Sequence, residues 1–180
     1  MTRSDLEHLI RAAGAISGDD HIVIIGSQSI LGQFPDAPAS LRRSMEADLF
    51  PRGTPALSEL VDGALGEGSL FHEQFGYYAQ GVSEETARLP KGWQSRLVRI
   101  ANTNTGGVEG LCLEVHDLAI SKYIAGRTKD REFTRELGRY RMTNKATLLQ
   151  RLRGTKLETA MRKIVQERIE SDFRSKAKGK

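Results

Sequence analysis

The stretch that most constrains this chain runs from residue 21 to residue 50. It opens with a run of mostly β-branched apolar residues, His21–Ile25, that stops at a glycine, which is typical of a buried strand. The next two residues, Gly26 and Ser27, are called the corner below. Ser27 is expected to cap a short helix over residues 28–32, and Gly26 to leave room for a ligand near the backbone. A helix start of this kind presents free N–H groups and a positive dipole end, which favours phosphate binding.

A second strand is predicted around Glu46 and Asp48, called the acid pair below. The two residues are two positions apart, so on a strand their carboxylates point to the same face. Carboxylate oxygens are ligands that Mg²⁺ prefers. A phosphate-binding corner followed by paired carboxylates predicts metal-dependent nucleotide chemistry. The structural alternatives are ordinary exposed acids on an edge strand and a plain strand-to-helix turn.

These features resemble the motifs of the nucleotidyltransferase superfamily, which has a polymerase-β-like fold. The similarity lies in the order of the corner and the acid pair. A longer pattern, Arg-x-Ser-x-Glu-x-Asp over residues 42–48, is similar to nucleotidyltransferase-like proteins of bacterial toxin–antitoxin and abortive-infection systems. The run over residues 117–130 is similar to the same proteins. Together the motifs span residues 21–135, which is most of the chain.

The resemblance implies a fold, a cofactor and partners. It implies an α+β fold with a nucleotidyltransferase-like mixed β-sheet flanked by helices, in a domain over residues 1–140, with a helical basic extension over 141–180. The implied reaction moves an NMP group from an NTP to an acceptor hydroxyl with Mg²⁺ or Mn²⁺. The implied acceptor is RNA, such as a tRNA 3′ end, or a protein side chain. A toxin of this kind would have a cognate antitoxin as its partner.

The resemblance also implies roles for individual residues. The expected metal ligands are the acid pair and, as a third acid on a later strand, Glu114. The expected catalytic residues are Glu46, Asp48, Lys122 and Asp130. The expected nucleotide-binding residues are Gly26, Ser27, Arg42, Ser44, Arg127 and Lys129. Asp130 is expected either to orient the neighbouring cations or to accept the proton of the attacking hydroxyl.

Several of these residues have structural alternatives that the sequence leaves open. Lys122 fits a lysine whose stem lies along apolar surface while its amino group reaches solvent. Lys129 and Asp130 fit a local ion pair at a helix start. One of the two arginines at positions 42 and 43 fits an ion pair that balances the acid pair.

Periodicity predicts the remaining elements. Asp117 and Asp130 are expected to cap helices. Helices are expected over residues 3–16, 55–65, 69–75, 116–125, 143–152 and 156–173. Strands are expected over 76–82, 95–101 and 110–115, the last two joined by a hairpin loop over 102–107. The tail over 174–180 is expected to be disordered.

Charge is distributed unevenly along the chain. Residues 1–120 carry 9 Lys and Arg against 16 Asp and Glu, whereas residues 121–180 carry 18 against 7. This asymmetry favours a polyanionic partner for the C-terminal third, either nucleic acid or an acidic protein; solvated helix faces are the alternative.

The single cysteine excludes a disulfide framework and a cysteine zinc site. No apolar stretch approaches the length of a membrane span, and the first residues lack a signal-peptide apolar region. We therefore expect a cytoplasmic protein with no membrane contact.

Two non-enzymatic functions compete with the transferase. Glu46 stands where the superfamily more often has Asp, and the eighteen residues between Ser27 and Glu46 exceed the usual spacer. Both differences favour a degenerate nucleotidyltransferase fold that serves as a nucleic-acid-binding or partner-binding module. A third function is that of an antitoxin-like or assembly subunit whose basic tail binds an acidic protein.

Overall fold

The computed structural model describes residues 1–174, which form two compact units. The first unit comprises residues 1–86 and 96–114, and the second comprises residues 87–95 together with the chain from Val115 onward. The helices that follow the sheet therefore group with the C-terminal helices, whereas the sequence interpretation placed everything up to residue 140 with the sheet.

The first unit is built on a five-stranded mixed sheet with the strand order β3-β2-β1-β5-β4. The strands are β1 (His21–Ile24), β2 (Glu46–Pro51), β3 (Tyr78–Gly81), β4 (Val98–Ile100) and β5 (Glu109–Cys112). β1 is antiparallel to β2 and parallel to β5, β3 is parallel to β2, and β4 is antiparallel to β5. The predicted α+β class and mixed sheet are confirmed, and the three later strands are shorter than their sequence patterns.

The apolar run of β1 forms the middle of this sheet. Ile22, Val23 and Ile24 are each no more than 2% exposed. A strand covered on both faces needs apolar residues at every position, which accounts for the unbroken run in the sequence.

Four helices flank the sheet within the first unit. They are α1 (Arg3–Ser17), α2 (Ile30–Gln33), α3 (Ser58–Leu65) and α4 (Leu70–Phe75). α1 starts with a capping box, in which the Thr2 hydroxyl accepts from the Asp5 N–H and the Asp5 carboxylate accepts from the Thr2 N–H. Its apolar face is fully buried and includes Leu6, Leu9 and Ile10.

The described residues of the second unit form four α-helices, α5 (Val115–Ala125), α6 (Thr128–Arg139), α7 (Lys145–Arg153) and α8 (Thr159–Arg174). A buried carboxylate joins three of them: Asp172 in α8 accepts hydrogen bonds of 3.0 Å from the Tyr123 hydroxyl in α5 and from the Thr134 hydroxyl in α6. These bonds satisfy polar groups that would otherwise be costly to bury.

The capping role predicted for Asp117 is wrong, whereas Asp130 takes part in a capping box without being the N-cap itself. Asp117 is the third residue of α5, fully buried, and its Oδ1 lies 3.2 Å from Nε of Arg151 in α7. Asp130 is the third residue of α6, whose N-cap is Arg127, and its carboxylate accepts from the Arg127 backbone N–H at 3.3 Å in a capping box. Both aspartates lie inside the first helical turn, where a negative charge stabilises the helix by interacting favourably with its dipole.

The predicted disorder over residues 174–180 concerns positions outside the described residues, except for Arg174, which ends α8. Of the helices found in residues 1–174, none is long and apolar enough to cross a membrane.

Candidate functional site

β1 ends at Ile24, two residues before Gly26, and the corner follows beside the first half of β2. The backbone N–H of Ile25 donates to the carbonyl oxygen of Asp48 at 3.0 Å. Because the two strands are antiparallel, the carboxyl end of β1 meets the amino-terminal half of β2, which carries the acid pair. Strand pairing alone therefore brings the corner and Asp48 together.

The Asp48 side chain occupies the space that a side chain at position 26 would need. A Cβ placed on Gly26 would lie 2.6 Å from Cγ of Asp48 and would overlap Oδ2. The φ of Gly26 is −81°, which any residue can adopt, so glycine is needed here for space and not for backbone freedom. The room that the sequence predicts for a ligand is thus filled by the Asp48 carboxylate.

The chain leaves the corner through a 3₁₀ turn over Ser27–Ser29, and α2 begins only at Ile30. The expectation that Ser27 caps a helix over residues 28–32 is therefore wrong, because the N-cap position of α2 is Ser29. Ser27 is half-buried at the corner.

Two polar residues of this turn were missed by sequence reasoning. Gln28 and Ser29 are fully buried, and the described part of the chain offers no hydrogen-bond partner to the Gln28 amide or the Ser29 hydroxyl. Buried polar groups are normally satisfied by protein, water or a ligand. A polar pair after a turn usually predicts exposed surface, and the only signal against that is its position between two apolar runs.

The acid pair lies on one face of β2, as the spacing predicts. Glu46 and Asp48 are half-buried and alternate with Ala47 and Leu49, which are fully buried. β2 lies between β1 and β3, so the pair is not on an edge strand. The exposed edge-strand alternative for these acids does not fit this arrangement.

Glu46 has a partner on the neighbouring strand. Its Oε2 accepts a hydrogen bond of 3.1 Å from the hydroxyl of Tyr78, the residue that faces it in the β2–β3 register. Burial and the Glu46 charge raise the pKa of Tyr78 to about 12, so the phenol remains a proton donor at neutral pH.

Arg42 and Ser44 shape the segment that leads into β2. Nε of Arg42 donates to the Ala37 carbonyl at 2.5 Å. The Ser44 hydroxyl donates to the Glu46 carbonyl at 3.2 Å and accepts from the Glu46 N–H at 3.1 Å. The nucleotide contacts expected of these two side chains remain predictions.

Glu114 lies beyond the end of β5 and immediately before α5, so the expectation that it stands on the strand is wrong. It is half-buried. Across residues 1–174, no three His, Cys, Asp or Glu side chains form a group that could hold a metal ion. The metal-binding role expected of Glu114 together with the acid pair remains a prediction.

In the second unit, Asp130 forms ion pairs with two of the cationic residues for which a function is predicted. Its carboxylate is 1% exposed and lies 3.5 Å from Nζ of Lys122 and 2.7 Å from Nε of Arg127. Burial alone would raise the pKa of Asp130, but hydrogen bonds from Arg127 and the charge of Lys122 hold that pKa below its usual value. Lys129 is exposed on the same helix turn.

This arrangement favours one of the two roles expected of Asp130. A carboxylate with a lowered pKa and two cationic neighbours is a weak proton acceptor, whereas its hydrogen bonds fix the orientation of the Arg127 guanidinium. Lys122 is 13% exposed, so its stem is largely covered while its amino group pairs with Asp130.

The mixed sheet, with a glycine–serine corner beside the strand that carries the acid pair, is that of the nucleotidyltransferase class, to which the chain belongs. Within that class it is a member of the family described as nucleotidyltransferase of unknown function (DUF6036), whose model matches residues 4–176. No curated protein and no solved structure shows a significant match to the chain.

Gly26→Ala is expected to destabilise the first unit because the added methyl group displaces the Asp48 carboxylate. The expected loss in the free energy of unfolding is about 1–3 kcal/mol, measured by urea denaturation. Gly63→Ala is the matched control, since Gly63 lies in α3 and a Cβ added there would have no atom within 4 Å outside the neighbouring backbone of its own helix. The double variant Gly26→Ala/Asp48→Ala should recover part of the loss; equal stability of Gly26→Ala and the unmodified protein would contradict the close contact.

Asp130→Asn is expected to weaken the acid dependence of stability. Because the folded pKa of Asp130 is lowered, its contribution is fully present above the ordinary aspartate pKa of about 3.9 and is lost as the pH falls through the folded value. Urea denaturation at neutral and acidic pH should show a less stable variant at neutral pH and a smaller difference in acid. The exposed Glu167→Gln is the control; a pH dependence identical to that of the unmodified protein would refute this assignment.

Proposed function

We propose that this protein is a Mg²⁺-dependent nucleotidyltransferase that moves an NMP group from an NTP to an acceptor hydroxyl. The observation that carries the proposal is the Asp48 carboxylate seated against Gly26, with Glu46 on the same face of β2. In this arrangement a phosphate held at the corner would lie near two carboxylates.

The donor set of the acid pair suits Mg²⁺ or Mn²⁺. Such hard cations prefer a few carboxylate oxygens and take their other ligands from substrate phosphates and water, so a site of two acids is sufficient. Glu46 and Asp48 would hold the ion. When bound, Mg²⁺ offsets the negative charge that the triphosphate brings to the site.

The other residues have roles that follow from their chemistry. The corner would bind terminal phosphates through backbone N–H groups and the Ser27 hydroxyl, and Arg42 and Ser44 would contact the nucleotide. Lys122 and Arg127 would bind phosphate oxygens, Lys as a point charge and Arg through paired N–H groups, with Lys129 adding to the positive field.

RNA, such as tRNA, is the acceptor that the charge of the second unit favours over a protein side chain. Nucleic acids are bound through their phosphates largely by Lys and Arg side chains. The second unit exposes many such side chains, including Arg135, Arg139, Arg141, Lys145, Arg153, Lys156, Lys163 and Arg174. With the resemblance to toxin-like proteins, this favours a toxin of a bacterial toxin–antitoxin or phage-defence system with a cognate antitoxin.

Transfer of label tests the activity. The protein is incubated with each α-labelled NTP, Mg²⁺, total RNA and total protein, and label in each acceptor fraction is measured. Glu46→Ala and Asp48→Ala are each expected to reduce transfer about 100-fold or more, because charge stabilisation at the phosphate is lost. Glu59→Ala, an exposed acid in α3, is the matched control.

Absence of transfer from every NTP would favour a degenerate fold that acts as a binding module. The glutamate at position 46 and the long spacer between Ser27 and Glu46 are the features that support this alternative. Label in protein alone would replace RNA as the acceptor while leaving the transferase intact.

Salt dependence tests the RNA part. RNA affinity is expected to fall by at least about 10³-fold between about 50 and 200 mM salt if six or more phosphates are contacted. Lys145→Gln/Arg153→Gln should reduce the slope of log affinity against log salt by about two, one for each lost phosphate contact. Arg52→Gln, in the first unit, should leave it unchanged; a salt-insensitive affinity would reject the polyanion acceptor.

A further inference from the structure

The beginning of β3 places a phenol against one carboxylate of the acid pair. Glu46 and Tyr78 are the first residues of β2 and β3, and the parallel register pairs them directly. The Tyr78 hydroxyl donates to Oε2 of Glu46 at 3.1 Å. A donor on Oε2 leaves Oε1 available to a ligand.

Both the backbone and the ring of Tyr78 have a neighbour that fixes their position. Its N–H donates to the Met45 carbonyl at 2.9 Å, and its ring lies 4.7 Å from the His72 ring, centroid to centroid. The position of His72 is fixed in turn. Its ring Nδ1 accepts from the Gly68 N–H at 3.0 Å, and its backbone N–H donates to the Ser69 hydroxyl at 3.1 Å. The phenol is therefore presented to Glu46 by an ordered support.

A glutamate needs such support more than an aspartate would. Glu has one more rotatable bond than Asp, so its carboxylate has more orientations to lose when it binds a cation. A hydrogen bond from a fixed donor to the ionised carboxylate removes part of that freedom before binding. The Glu46–Tyr78 contact thus compensates for the longer side chain at the first acid position.

We propose that Tyr78 is a positioning residue that fixes the Glu46 carboxylate for binding a divalent cation. The proposal rests on the function proposed above. It assigns to Tyr78 no contact with the substrate or the ion, and it accounts for a glutamate where the resemblance predicts an aspartate.

Mn²⁺ binding, measured by calorimetry and by the electron paramagnetic resonance of free Mn²⁺, tests this role without turnover. Tyr78→Phe is expected to weaken Mn²⁺ affinity about 10–100-fold, as loss of a hydrogen-bond partner of a metal ligand does. Tyr77→Phe is the matched control, because the Tyr77 hydroxyl lies 2.8 Å from Nδ1 of His8 and not against an acid. Thermal melts of both variants report whether folding is retained.

A double-variant cycle separates positioning from a general structural effect. In a Glu46→Asp background the shorter side chain does not reach the phenol, so Tyr78→Phe should change Mn²⁺ affinity less than twofold. An equal loss in both backgrounds, or no loss from Tyr78→Phe in the native background, would overturn the proposal.

The phenol itself gives a readout that needs no metal. In protein labelled with ¹³C at the tyrosine ring, the Tyr78 hydroxyl proton should exchange with solvent faster in Glu46→Ala, because the carboxylate that accepts its hydrogen bond is removed. An unchanged exchange rate would overturn the contact. Failure of the unmodified protein to bind Mn²⁺, with the faster exchange present, would reject the positioning role while leaving the hydrogen bond established; label transfer judges the proposed function separately.

Discussion

The first unit depends on how closely β2 approaches the end of β1. The Ile25–Asp48 backbone hydrogen bond belongs to this register, and the register places the Asp48 carboxylate in the space that a Cβ on Gly26 would need. With any larger residue at position 26, the strand pairing and the carboxylate position would conflict. The candidate site is thus a result of main-chain pairing, and the side chains involved need no long or flexible reach.

The parts of the fold that follow from periodicity were predictable from the sequence. An alternation of acidic and buried residues places both carboxylates of β2 on one face whatever the neighbouring strands are. The apolar run of β1 predicts a central strand for the same reason. These arguments use only the local geometry of the chain, and local geometry is what a sequence pattern reports.

The parts that depend on contacts distant in the chain were not predictable. Helix caps were misassigned at Ser27 and Asp117, because several polar residues near each start could serve as the cap and tertiary packing selects among them. The hydrogen bond between Glu46 and Tyr78 depends on a parallel pairing that no spacing reveals. The burial of Gln28 likewise has no local signal.

Three buried aspartates of the second unit pair with arginines, which helps this basic segment to pack. Asp117, Asp130 and Asp172 are buried, and each lies within 4 Å of an arginine side-chain nitrogen. Two of these arginines, Arg127 and Arg135, have side chains that are more than half exposed. Each pairs with a buried aspartate while much of its side chain remains in contact with solvent. These three buried acids are thus each paired with a cation, and two of those cations still contribute positive charge to the surface.

The occupied space at Gly26 has a practical consequence for handling this protein. A single methyl group added there acts on the carboxylate indirectly, so the site can be perturbed while every ionisable residue of the chain is kept. Such a form would have the same net charge as the natural protein. It would therefore suit pull-down or co-crystallisation with a bound polyanion, for which variants that remove an acid introduce an electrostatic bias of their own.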